Sequence, residues 1–374
     1  MLPIRVLHVF RILNRGGAET LVMNIFRNID RSKVQFDFLV QHPDIGDYEE
    51  EIKGLGGEIF RLPYLTQVGP LRYKRKLIDF FKKSDYSIVH SHMNEMSRMI
   101  LGQAKKAGIR IRIAHSHNYF PKYSFFEGLF RIYLKSNIGK VTTHQFGCSS
   151  EALNWLFGTN SFNSKVIQNG ACLDQFDNVA MRKTTREDNR IVIGHIGSFS
   201  AQKNHKFIVE IFKEIHNRIQ ESELILIGDG SLKLEIEQEV INKGLENNVK
   251  FLGVRSDIPQ LLSKMDLFLM PSLFEGLPLT LIEAQAAGVN CIITDSITEE
   301  VDVGCNLIHR LDLNNTAGEW AEKVIDIISN KECVDSHSFI KKAGFDIVDT
   351  SMWLEQFYLQ QQIIANNVSI LEKS

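Results

Sequence analysis

Apolar runs of strand length alternate with amphipathic segments of helix length from one end of the chain to the other, which is the pattern of parallel βαβ units. In the first half the spacing predicts strands at 4–10, 35–40, 87–91, 110–115 and 144–149. In the second half it predicts strands at 191–196, 223–227, 249–252, 267–270 and 290–294. The pattern breaks between 168 and 190, where a polar stretch carries a turn signal at Asn169-Gly170, and then it restarts. A chain of 374 residues also exceeds the size at which one hydrophobic core stops growing. The expected organisation is therefore an N-terminal domain over 1–168, a linker over 169–189 and a second domain over 190–345, with helix-forming residues at 346–374.

Composition sets limits on this picture. With 44% hydrophobic and 24% charged residues and only 8 prolines, the chain has the balance of a globular protein and not that of a disordered or fibrous one. No apolar run approaches the roughly 20 residues of a membrane span, and no signal-peptide pattern precedes the first strand, so a cytoplasmic protein is expected. The five cysteines are scattered without C-x2-C spacing and read as reduced thiols.

Charge changes the picture more. The net charge is −2, yet residues 61–140 hold 16 Lys and Arg against 4 Asp and Glu. So basic a stretch suggests an anionic partner, and no recognition motif accompanies it that would make the partner a nucleic acid. Within it, Tyr119 to Lys135 interleaves aromatics with cations. A helix with Phe126, Leu129, Phe130 and Tyr133 beside Arg131 and Lys135 suits an anionic membrane surface, so peripheral attachment to the inner face of the cell membrane is expected.

The strongest chemical signal is Pro271-Ser-Leu-Phe-Glu-Gly-Leu-Pro-Leu-Thr-Leu-Ile-Glu283-Ala. It follows a buried-looking strand, turns through Gly276 and starts a helix near Pro278, whose missing N–H is no loss at a first helical position. Backbone N–H groups and the helix dipole then converge on an anion. Glu275 and Glu283 flank that spot as acceptors for hydroxyl groups around a bound phosphate. Acidic residues also suit a helix start on electrostatic grounds alone.

This E-x7-E arrangement resembles the donor-site signature of the family 4 retaining glycosyltransferases. Other pieces occur in that family's order: Gly16-Gly17-Ala18-Glu19-Thr20, His115-Ser116-His117-Asn118, Cys148-Ser149-Ser150-Glu151-Ala152, Gln168-Asn169-Gly170, Gly197 with Gln202-Lys203-Asn204, and Ile227-Gly228-Asp229-Gly230. The resemblance covers nearly the whole chain and is closest to the branch of bacterial capsular and exopolysaccharide assembly. It implies two doubly wound Rossmann-like α/β domains facing across a cleft, the GT-B fold, with the final helix crossing back to the N-terminal, acceptor-binding domain. It also implies a nucleotide-sugar donor, UDP-linked by expectation, a lipid-linked glycan acceptor, retention of anomeric configuration, and no metal or other cofactor.

The resemblance implies roles residue by residue. Glu275 contacts the transferred sugar and Glu283 the ribose; Gly276, Leu277 and Pro278 line the sugar and phosphate side. Lys203 pairs with the diphosphate, whose charge grows as the sugar bond breaks. Gly16 and Gly17 let backbone approach that diphosphate. One departure stands out: relatives carry Arg where this chain has Ser198, which removes a second cation from the leaving group. A lost charge-assisted hydrogen bond of about 1.5–3 kcal/mol is worth one to two decades in rate, with Arg255 as a replacement or a nucleobase-side residue. The family places a histidine near the sugar. His115 and His117 are expected to point to opposite faces, so that one of them, His115 by preference, meets the sugar. His90 and His92 repeat the pattern one strand earlier. No Asp-x-Asp or other metal-ligand spacing is present. Two rival functions are a nucleotide-sugar epimerase of similar fold and a non-catalytic sugar-nucleotide-binding subunit, the latter favoured by Ser198.

Overall fold

The computed structural model describes residues 2–117, 125–158, 162–176, 190–330 and 335–371. Asn118, the segment 119–124, the linker stretch 177–189 and the side chains of Phe126, Leu129 and Phe130 lie outside the described residues. The chain divides into two compact units, Met1–Gly170 with Ile347–Ser374, and Ala171–Asp346.

The first unit is a seven-stranded parallel sheet made of β1 (Ile4–Phe10), β2 (Val34–Val40), β3 (Ile59–Arg61), β4 (Ile88–Ser91), β5 (Ile111–Ser116), β6 (His144–Gly147) and β7 (Ser164–Val166). Its strand order is β3-β2-β1-β4-β5-β6-β7, so the winding reverses between β1 and β4. All seven residues of β2 are buried, which is the condition of an interior strand covered by helices on both faces. The last helix, Ile347–Leu371, packs against β1, β2 and the helix Gly17–Asn28. Glu355 fixes it there, accepting from the Asp30 backbone N–H at 3.0 Å and from Lys33 Nζ at 3.1 Å.

The second unit repeats the plan with six parallel strands: β8 (Ile191–Ile196), β9 (Ser222–Ile227), β10 (Val249–Phe251), β11 (Leu267–Met270), β12 (Asn290–Thr294) and β13 (Ile308–Leu311). The order β10-β9-β8-β11-β12-β13 reverses between β8 and β11. One face of this sheet is filled by Met265, Phe268, Met270 and Leu281 among others, the opposite face by Phe212, Leu224, Leu269 and Trp320.

The ten expected strands are present within one or two residues at each end. Three further strands, β3, β7 and β13, were invisible to the apolar-run pattern, because each is a three- or four-residue edge strand whose side chains are only partly covered.

Candidate functional site

In an open parallel sheet, ligands bind beyond the strand C-termini where the winding reverses. In the second unit that point lies between β8 and β11, and the loops leaving these two strands, 197–204 and 271–278, are the ones that carry Lys203 and Glu275. The loops are tied together. Leu273 N–H donates to the Gln202 carbonyl at 2.8 Å, Gln202 Nε2 donates to the Phe274 carbonyl at 2.9 Å and to Glu275 Oε2 at 3.1 Å, and Asn204 Nδ2 donates to the Pro271 carbonyl at 3.1 Å. Asn204 adopts the left-handed conformation, φ 56°, which turns the chain from the loop into the helix His205–Arg218.

The β8 loop is also clamped from its other side. Gly197 N–H donates to Ile227 and Phe199 N–H to Asp229, and a Cβ on Gly228 would overlap the Gly197 carbonyl. Gly228 and Gly230 both have positive φ, 138° and 159°, so the Gly-Asp-Gly stretch is glycine-rich because two backbones meet there.

Within this frame Lys203 Nζ lies 2.7 Å from Glu275 Oε1, with side chains 15% and 8% exposed. Lys203 and Gln202 thus engage one oxygen each of the Glu275 carboxylate. Leu277 and Pro278 are buried and Gly276 is exposed. Pro278 is the N-cap of the helix Leu279–Ala286 and so stands one position before the first helical residue expected of it. Glu283 lies just over a turn inside that helix, half-buried, and burial pushes its carboxyl up to about 7. Two helix N-termini, of His205–Arg218 and Leu279–Ala286, therefore open on the same pair of loops and contribute partial positive charge. Ser198 is exposed and bonds only weakly to Ser200, 3.3 Å between hydroxyls. Arg255 is exposed in the loop after β10, and its guanidinium is held by Asp257 in two bonds of 2.8 and 2.7 Å. Its charge is thus already matched locally, which weakens the idea that it replaces the missing arginine.

The first unit places the remaining candidates. Gly16 is the N-cap of the helix Gly17–Asn28. A Cβ on Gly16 would collide with the Glu19 carboxylate, whereas one on Gly17 would meet nothing within 4 Å. That contact is with the movable end of a side chain, so a larger residue at 16 would shift the Glu19 carboxylate, a group that burial pushes up to about 7.

The histidines correct the expectation made for them. His115 and His117 face the same way, with ring centroids 4.1 Å apart, because side chains two residues apart in a strand share a face. His115 is 2% exposed and His117 half-buried. Burial pushes His117 down to about 3 and lowers His115 well below the ordinary histidine range, so both are neutral at pH 7. Histidines from three strands also come within metal-binding reach of one another, a grouping that no local spacing announces.

The proposed interfacial helix is seen in part. In Phe125–Ser136, Arg131 pairs with Glu95 at 3.1 Å and Lys135 Nζ stands 4.2 Å from the Trp155 ring centroid. Tyr133 is exposed while Leu134 is in the core. The helix Pro70–Lys83 is different: Tyr73, Leu77 and Phe81 are buried, and Arg72, Lys74, Arg75, Lys76, Lys82 and Lys83 are all exposed. Among the described residues no helix is long and apolar enough to cross a membrane.

Comparison with known proteins agrees with this geometry. Residues 177–344 match the family model described as glycosyl transferases group 1. EpsF of Bacillus subtilis (strain 168), a glycosyltransferase by provisional assignment, is 39% identical over 333 residues, 86% of each chain. The capsular polysaccharide biosynthesis glycosyltransferase CapH of Staphylococcus aureus is 27% identical over 96% of this chain and 100% of its own. The Escherichia coli UDP-Gal:alpha-D-GlcNAc-diphosphoundecaprenol alpha-1,3-galactosyltransferase is 25% identical over 78% of this chain and 79% of its own. Among solved structures, Anabaena HepE in complex with UDP and glucose superposes with a TM-score of 0.73 at 19% identity, covering 95% of this chain and 99% of its own. With the two parallel sheets, these likenesses establish that the chain belongs to the group 1 glycosyltransferases and has their GT-B fold.

Proposed function

We propose that the chain transfers a hexose or related sugar from a UDP-sugar to a hydroxyl of a lipid-linked glycan in surface polysaccharide synthesis, with retention of configuration and without a metal on the diphosphate. The observation that carries this reading is the Lys203–Glu275 pair at the winding reversal of the second unit, with Glu283 one turn into the adjoining helix. An ammonium has three N–H donors. Lys203 therefore has the capacity to keep Glu275 in place and still donate to a diphosphate oxygen as charge develops there. Glu275, with Oε2 held by Gln202 and Oε1 beside the Lys203 ammonium, has lone pairs left to accept from a sugar hydroxyl. Glu283, whose carboxyl is pushed up to about 7 by burial in the ligand-free protein, meets the ribose hydroxyls. The two helix N-termini offset part of the charge that an arginine at Ser198 would have met.

The donor and acceptor classes take support from the E. coli relative, whose name specifies UDP-Gal and a diphosphoundecaprenol-linked sugar, and the polysaccharide role from CapH. A lipid-borne acceptor implies a membrane surface, and the basic face of the helix Pro70–Lys83 suits an anionic one better than Arg131 and Lys135, which are engaged within the fold.

The test is turnover of a panel of UDP-sugars with lipid-diphosphate-linked acceptors, reading product by mass and anomeric configuration by NMR. A retained glycosidic product is expected. Conversion of the UDP-sugar without acceptor would instead indicate an epimerase, and nucleotide binding without turnover across the panel a non-catalytic subunit.

A further inference from the structure

Five histidines share one face of the first sheet. The strand register sets His8 of β1 beside His90 of β4, and His90 beside Ile113 of β5. Because side chains alternate, His92, His115 and His117 continue on that same face. The helix Ile347–Leu371 lies over part of it, bringing Tyr358 OH to 2.6 Å from His90 Nδ1. The rings form a ladder, with centroids 5.2 Å apart for His8 and His90 and 4.3 Å for His90 and His92.

This ladder is not satisfied as it stands. His8 Nδ1 meets His92 Nε2 at 3.0 Å and His92 Nδ1 meets His117 Nε2 at 2.7 Å. Among the described residues that leaves His8 Nε2, His90 Nε2, both nitrogens of His115 and Nδ1 of His117 buried without a partner. Native interiors rarely leave polar atoms unmatched, and of these His90 Nε2, whose ring is held by Tyr358 at its other nitrogen, is the one that an ion among His8, His90 and His92 takes up. The rings are also in the right state to be ligands. Burial lowers His90 and His92 well below the ordinary range and takes His8 to about 3, so each is neutral and offers a lone pair at pH 7.

We propose that His8, His90 and His92 bind a divalent transition-metal ion of the zinc class. One nitrogen from each lies within 4.8 Å of the other two. Tetrahedral zinc with bonds of about 2.0–2.1 Å needs nitrogens roughly 3.3–3.4 Å apart, so the His8–His92 separation has to open by only a few tenths of an ångström. A set of imidazoles without carboxylates suits zinc, copper or nickel and not calcium or magnesium, which take oxygen ligands. The outer partners fit as well. His90 rests its other nitrogen on the Tyr358 hydroxyl and His92 on His117, the arrangement that fixes tautomer and ring orientation in metal-bound histidines. On binding, the proton shared between His8 and His92 moves to the outer nitrogen of its own ring, and no proton is released. The alternative trio of His92, His115 and His117 is less prepared, since among the described residues His115 has no hydrogen bond to fix its tautomer. The ion would join β1 to β4 at the winding reversal of the first sheet, leaving His117 for the sugar.

The test uses the untagged full-length protein, stripped with chelator and then titrated with Zn²⁺ or Co²⁺. One zinc per chain is expected after removal of excess, with a rise in Tm of several degrees and a Co²⁺ absorption typical of nitrogen ligands without thiolate. His90→Phe and His92→Phe should lose the ion and His115→Phe should keep it, each variant being checked for fold by circular dichroism. Should a variant fail to fold, the Co²⁺ spectrum and stoichiometry of the unaltered protein still decide. Less than a tenth of an equivalent of metal with unchanged Tm would overturn the proposal, as would retention by His90→Phe or loss confined to His115→Phe.

Discussion

Replacing Lys203 by Met separates two things this residue does. Its ammonium and the Glu275 carboxylate form a mostly buried pair, and removing one member of such a pair typically costs about 3–5 kcal/mol because the other charge is stranded. Lys203 retains some contact with water, so the lower end, ~3 kcal/mol, is expected for Lys203→Met. Adding Glu275→Gln removes the stranded charge, and the double variant should return to within about 1 kcal/mol of the parent. Catalysis should behave otherwise. If the ammonium also meets the leaving diphosphate, loss of a charge-assisted bond of about 1.5–3 kcal/mol lowers kcat/KM by roughly 10- to 100-fold, toward the larger value because Ser198 supplies no second cation. The double variant should regain stability and stay inactive. Urea denaturation of the parent and the two variants, with UDP release measured in the presence of acceptor, gives both readouts. Near-normal kcat/KM in Lys203→Met would refute the assignment, and recovery of activity in the double variant would reduce Lys203 to a counter-ion for Glu275.

Three other outcomes follow from the same geometry. Glu283 has a folded-state pKa raised to about 7, so the folded protein binds the extra proton and the group's penalty on stability grows as pH rises from about 4 through 7; Glu283→Gln should stabilise the ligand-free protein by about 2–3 kcal/mol more at pH 8 than at pH 4 while weakening UDP binding, as denaturation at both pH values and calorimetry would show. Gly228→Ala, which puts a methyl group against the Gly197 carbonyl at positive φ, should cost about 1–3 kcal/mol or more and loosen the loop that carries Lys203, seen as a lower urea midpoint together with weaker UDP binding. Replacing Lys74, Arg75, Lys82 and Lys83 by Gln should abolish low-salt sedimentation with anionic vesicles, at about 1 kcal/mol per charge, and leave the urea midpoint unchanged because all four are solvated; undiminished sedimentation would move the contact elsewhere.

Much of this protein was legible in the order of its residues. Parallel strands covered on both faces leave unbroken apolar runs, and these marked ten strands and the restart of the pattern at the second unit. The architecture of the 271–278 loop was legible too, since strand, Glu-Gly-Leu-Pro turn and helix start are contiguous. Edge strands escaped because a strand paired on one side only needs no apolar run, as Ser164-Lys165-Val166 illustrates. Pairing across loops was decided by the tertiary structure alone: Lys203 and Glu275 meet because the strands that precede them are neighbours at the winding reversal. The histidines are the sharpest case. His90 and His92, and His115 and His117, are paired along the chain by alternation, but only the in-register pairing of β1, β4 and β5 brings these pairs and His8 together on one buried face, where neighbouring strands supply the proximity that no spacing along the chain encodes.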